Sequence, residues 1–164
     1  MWFELRRESA DFAERSPLLW QAEAPVAAPR ATVFAALVDP QSWRQWFPGL
    51  ENAFYSSPPP YGVGSIREAR VRGSRWIEEI IEWRPDARYA WTITGASLPL
   101  SAAQVESFTL ADEGTGTRVR FAIALEPRLL GRLGAPFAPR TVARLWQRAA
   151  ANLTDYLRRR PESP

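Results

Sequence analysis

The chain has 164 residues, 46% of them hydrophobic and 24% charged, with 21 basic side chains against 18 acidic ones. One globular domain is the economical reading, and no apolar run approaches the ~20 residues that span a bilayer. Cysteine, histidine and lysine are absent, which excludes thiolate nucleophiles, imidazole acid–base catalysis, conventional zinc sites and lysine Schiff bases.

Proton transfer is left to Asp, Glu and Tyr, with Arg to stabilise developing charge. No acidic loop of calcium-binding spacing occurs, and no metal or other cofactor is expected. The opening residues, "MWFELRRESADF", mix acids with arginines and lack the apolar stretch of a signal peptide, so a cytoplasmic location is the default expectation. The net charge of +3 is spread along the chain with alternating sign. Its densest cluster, "LRRRPESP", suits the solvated end of a helix, where the dipole favours cations; contact with phosphate or an anionic membrane is the alternative.

Residues 1–16 carry no clear pattern and read as an N-terminal extension. "PLLWQAEAPVAA" from Pro17 reads as a strand, and "PRATVFAALVD" sets Val33, Phe34, Leu37 and Val38 on one side of a short helix begun by proline. Asp39 is a candidate N-cap with Pro40 behind it, so "DPQSWRQW" opens a second short helix, stopped by "FPG". Trp43 and Trp46 then share a face, with Trp46 and Phe47 anchoring the helix and Trp43 half exposed.

From Leu50 the period drops to two: "LENAFYSS", "GSIREARVR", "SRWIEEIIEWRP", "RYAWTITGA", "AQVESFTLAD" and "TRVRFAIALEP" are six strands, joined by turns such as "RGSR", "RPDAR" and "DEGTGT". The proline run at Ser57 to Pro60 is a rigid surface loop. From Ala135 to Arg160 the helical period returns, with Val142, Leu145, Trp146, Ala149, Leu153, Tyr156 and Leu157 on one face. The result is a single α+β domain, with core 17–157 and tail 158–164, in which a curved antiparallel sheet buries the apolar face of one long helix.

This order, with "VFAALVDPQSWRQWFPG", "YGVGSIREARV", "IIEWRPDARYAW" and "GTRVRFAIALEP", resembles the START-like (SRPBCC) superfamily, most closely its bacterial polyketide cyclase/dehydrase-like branch. The resemblance covers roughly Pro17 to Leu157 and identifies a fold more than an activity. It implies a helix-grip fold: about seven strands wrapped around the C-terminal helix, two short helices after the first strand, and an apolar cavity between sheet and helix. Members bind lipids, sterols, polyketides, quinones or plant hormones, and some catalyse cyclisation or dehydration.

Strand parity nominates the cavity wall. Centring the "VRGSRW" hairpin on Gly73 and Ser74 pairs Val71 with Trp76, Ala69 with Glu78 and Arg67 with Ile80, all on one face; a one-residue slip would invert it. Neighbouring strands add Tyr89, Trp91 and Ile93, then Val119, Phe121, Ile123 and Leu125, with Tyr55 a further possible donor. Phe137, Leu145 and Ala149 from the long helix would roof the cavity, and Gly95 to Gln104 would be a flap or an ordinary loop. The ligand-binding set is therefore Arg67, Ala69, Trp76, Glu78, Ile80, Tyr89, Trp91, Phe121, Ile123, Phe137, Leu145 and Ala149.

Arg67 and Glu78 fall diagonal to each other on this interior face. Buried, they must pair; they then serve either as a structural ion pair or as a polar anchor that poises Glu78 for proton transfer. The leading functional expectation is binding of a small hydrophobic ligand. The alternatives are a cyclase or dehydratase using Glu78 and Arg67, and a protein-interaction module marked by an exposed apolar patch. Neither nucleic-acid binding nor stable membrane insertion is expected, and the oligomeric state is left open.

Overall fold

The alternating segments after Leu50 fold as strands in the computed structural model, which describes residues 1–159. In chain order the elements are β1 (Phe3–Glu4), α1 (Phe12–Arg15), β2 (Leu18–Val26), α2 (Arg30–Val38), a 3-10 turn (Ser42–Gln45), β3 (Leu50–Tyr55), β4 (Ile66–Val71), β5 (Ser74–Arg84), β6 (Arg88–Ala96), β7 (Ser101–Glu113), β8 (Gly116–Pro127), α3 (Leu129–Gly134) and α4 (Ala138–Arg159). The strands form one antiparallel sheet in the order β2-β8-β7-β6-β5-β4-β3, with β1 attached to β6. It is an open helix-grip sheet: β2 and β3 are its two edges.

The apolar stripe of α4 fills the concave side. Trp146, Ala149 and Leu153 are fully buried there, and the Trp146 indole donates to the Val119 carbonyl at 3.1 Å, which satisfies its one donor. Phe108 stands at the centre of the core, its ring 5.1 to 5.7 Å from those of Trp43, Trp91, Phe121 and Trp146.

Several expectations need correction. The β4–β5 turn is Arg72–Gly73, both at positive φ (+48° and +80°), so Val71 pairs with Ser74, Ala69 with Trp76 and Arg67 with Glu78. The offset from the expected register is two residues, which leaves the facing of every side chain unchanged. Asp39 ends α2 instead of opening a second α-helix; its carboxylate accepts from the Gln41 amide at 3.1 Å, and a single 3-10 turn follows. Trp43 is buried, not half exposed: its indole donates to the Leu37 carbonyl at 2.9 Å, while Trp46 donates to Ser42 Oγ at 3.1 Å and Phe47 is only half buried.

The long helix, expected from Ala135, starts at Ala138 after a turn through Pro136, and a separate α3, not expected, lies between β8 and that turn. Residues 160–164, with most of the arginine-rich tail, lie outside the described residues.

Residues 1–16 are part of the sheet architecture. Beyond the Thr92–Val105 pair, β6 and β7 part, and the chain from Phe3 to Arg6 enters the gap. Leu5 N donates to the Thr94 carbonyl at 3.1 Å and Arg6 N to the Ala102 carbonyl at 2.8 Å, so both parted strands find backbone partners. Phe12 then packs on the convex face with Ala103, Val105 and Ala124.

Candidate functional site

Between the sheet and α4 lies a partly open cavity of about 350 Å3. Arg67, Trp91, Ile93 and Phe121, none more than 2% exposed, form its closed end. Arg72, Leu98 and Leu100 reach the surface at its opening. Trp43, Ala69, Trp76, Ile123 and Leu145 supply apolar wall between them, and Arg67, Glu78 and Glu106 interrupt it with charge.

Arg67 and Glu78 face each other across β4 and β5, with Nε 2.5 Å from Oε2. Arg67 Nη1 also donates to the Tyr89 hydroxyl at 3.3 Å. The Tyr55 hydroxyl lies 3.1 Å from that of Tyr89 and donates to the Val38 carbonyl at 2.9 Å, so the one proton of Tyr89 must point to Tyr55. The guanidinium carbon is 4.5 Å from the ring centres of both Trp43 and Trp91, a desolvated cation–π arrangement worth ~2 kcal/mol or more.

Burial on its own would make Arg67 a stronger acid, but Glu78, with Tyr89 and Tyr55, more than offsets this and holds the guanidinium charged. Burial pushes the Glu78 carboxyl up from its ordinary range, against the pull of Arg67. The Tyr89 phenol is raised well above its usual range, chiefly by burial.

Glu106 differs from both. Its carboxyl is pushed up to about 7, first by burial and then by the charge of Glu78, with the Gln104 amide (2.7 Å) and Arg67 opposing. The surface it retains faces the cavity that it lines. Near neutral pH it is therefore divided between an acid that donates and a carboxylate that accepts. Trp91, its cross-strand partner, has a buried indole N–H without a hydrogen-bond partner among the described residues. Also among the described residues, no group of three or more acidic side chains is placed to hold a metal ion.

Of the residues nominated by parity, Arg67, Ala69, Trp76, Glu78, Trp91, Phe121, Ile123 and Leu145 meet at the cavity. Ile80, Tyr89 and Ala149 are fully buried and lie behind its wall, Tyr89 touching it through Arg67. Phe137 is 73% exposed and lies away from it, since α4 begins one residue later and leaves Phe137 in a turn. The expected flap is a short loop, 97–100, between β6 and β7, and its Leu98 and Leu100 line the cavity.

Sequence reasoning missed Glu106. Its strand partners, Trp91 and Ile123, both face the interior, but the pairings that carry their parity onto β7 are visible only in the structure.

Residues 20–158 match the model of the family described as polyketide cyclase/dehydrase and lipid transport. The chain belongs to this family. Among relatives of this family member, an uncharacterised protein of Mycobacterium tuberculosis is 28% identical over 123 residues, 74% of each chain. A START superfamily protein from Mycobacterium smegmatis superposes with a TM-score of 0.69 at 16% identity, over 85% of this chain and 97% of that one. A protein from Thermus thermophilus gives 0.67 at 18% identity, with the same coverage. At these identities the solved structures establish the START-like fold of this family member and nothing finer about it.

Proposed function

We propose that the protein binds a small, mostly apolar molecule with one polar group, such as a lipid, a quinone or a polyketide-like ring, in this cavity. The observation that carries the reading is an apolar cavity of about 350 Å3 whose polar lining includes a carboxyl raised to about 7. Pockets of ~300–1,000 Å3 with a few convergent polar groups are the usual form of small-molecule sites. Affinity comes from apolar burial, at roughly 25 cal/mol per Å2, and orientation from Glu106, the Trp91 N–H and the Arg67–Glu78 pair. Native mass spectrometry of the purified protein, with solvent extraction of any bound molecule, tests it. Titration of that molecule should change emission from Trp43, Trp76 and Trp91, which line the cavity. If nothing co-purifies and no lipid or quinone gives a saturable signal, the reading is wrong.

Glu106 also supports a second reading, a cyclase or dehydratase. A carboxyl near neutrality is suited to general acid–base work, and Arg67 would stabilise an enolate beside it. Glu106→Gln should then abolish turnover of the bound molecule while leaving its affinity within a few-fold. Undiminished turnover in that variant rejects the second reading.

A further inference from the structure

Beside the rim of the cavity, α3 and the turn after it carry exposed apolar side chains. The Arg128 amide donates to the Leu100 carbonyl at 2.9 Å, and Gly131 lies against the same carbonyl, so α3 is fastened to the 97–100 loop. Leu129, Leu133 and Phe137 are 70 to 75% exposed on this segment, and Leu98 and Leu100, on the loop to which α3 is fastened, line the cavity. Leaving this many large apolar side chains in water is costly unless something covers them.

Charge indicates what covers them. The stretch 127–154 contains five arginines and no acidic residue, so the rest of the chain carries a slight excess of acids. Arg132, Arg140, Arg144 and Arg148 are exposed, and none has an acidic partner among the described residues. A second copy of the chain would bring the same cations to a two-fold contact and be repelled. Nucleic acid would satisfy the arginines but not the leucines. An anionic bilayer offers phosphate at its surface and hydrocarbon just beneath, in the order this surface needs.

We propose that α3, the 97–100 loop and the first turns of α4 dock the protein peripherally on anionic membrane, with the cavity opening beside the bilayer. The docking does not depend on what the cavity binds, and it is tested without ligand.

The experiment is flotation of the full chain with vesicles of phosphatidylcholine, with and without 30% phosphatidylglycerol, at ~0.1 M and ~0.5 M salt. Binding should require the anionic lipid and fall at the higher salt. Replacing Arg132, Arg140 or Arg144 with Gln should each lower partitioning about five-fold. The pair Leu129→Ser and Leu133→Ser should lower it on the order of ten-fold or more. All these side chains are exposed, and unchanged thermal melting should confirm that the variants fold. Equal binding to neutral vesicles, no vesicle binding, or variants that bind like the parent would each overturn the proposal. So would concentration-dependent dimerisation that is lost in the leucine pair, because the surface would then belong to a second copy.

Discussion

Arg67 and Glu78 form a buried ion pair between adjacent strands, and the Arg67 guanidinium is also in contact with the rings of Trp43 and Trp91. Removing one partner strands the other charge in the core. Arg67→Met should therefore destabilise the fold by ~3–5 kcal/mol, while the double variant Arg67→Met with Glu78→Gln should recover a substantial part of the loss. Urea denaturation of Arg67→Met, the single variant Glu78→Gln and the double variant against the parent checks this. Additive losses would show that the two groups do not act as a pair.

Glu106 should give stability a marked pH dependence. Its folded-state pKa is about 7 against an ordinary value of 4.5, so the folded state takes up a proton more readily than the unfolded chain does. Stability from this group is complete below pH ~4.5, falls as pH rises through 7 and is lost above it. The total is on the order of 3 kcal/mol. Glu106→Gln should remove that slope, and a Gln variant with the parental pH profile would show that Glu106 titrates normally.

Filling the cavity should abolish binding without harming the fold. Leu145 is half buried on α4 and lines the cavity, so Leu145→Trp can occupy that space from the helix side. Affinity for an apolar fluorescent probe should fall at least ten-fold with little change in melting temperature. Retained affinity would place the probe elsewhere.

The gap between β6 and β7 makes a separate prediction. A Cβ at Gly95 would overlap the Trp2 ring, so Gly95→Ala should destabilise the protein by ~1–3 kcal/mol through overpacking. In a Trp2→Ala background the same change should cost much less. Equal cost in both backgrounds would mean that Trp2 does not occupy this position in solution.

Much of the fold was legible because alternation and turn residues are local signals. The facing of Arg67 and Glu78 was correct even though their register was two residues out, since side-chain direction repeats every two residues. The turn itself was misplaced because Arg72, a residue that seldom adopts positive φ, occupies its first central position. Glu106 was missed for a longer-range reason. Around it β7 is buried on both faces, Phe108 toward α4 and Val105 toward Phe12, so the strand lacks the polar–apolar alternation that separates inside from outside. Trp43 looked half exposed because nothing local reveals that Leu37 and Arg67 will enclose it.

The order of the strands also governs when the structure can form. β2 is synthesised early but pairs only with β8, Leu18 meeting Leu125, and the chain at Leu5 and Arg6 needs Thr94 and Ala102. β2 must therefore wait until β8 (Gly116–Pro127) has been made before it finds a partner, and the sheet stays uncovered until α4 follows. Such non-local topologies fold on the order of milliseconds to seconds, and until the last helix docks the aromatic residues that later enclose the cavity are open to water.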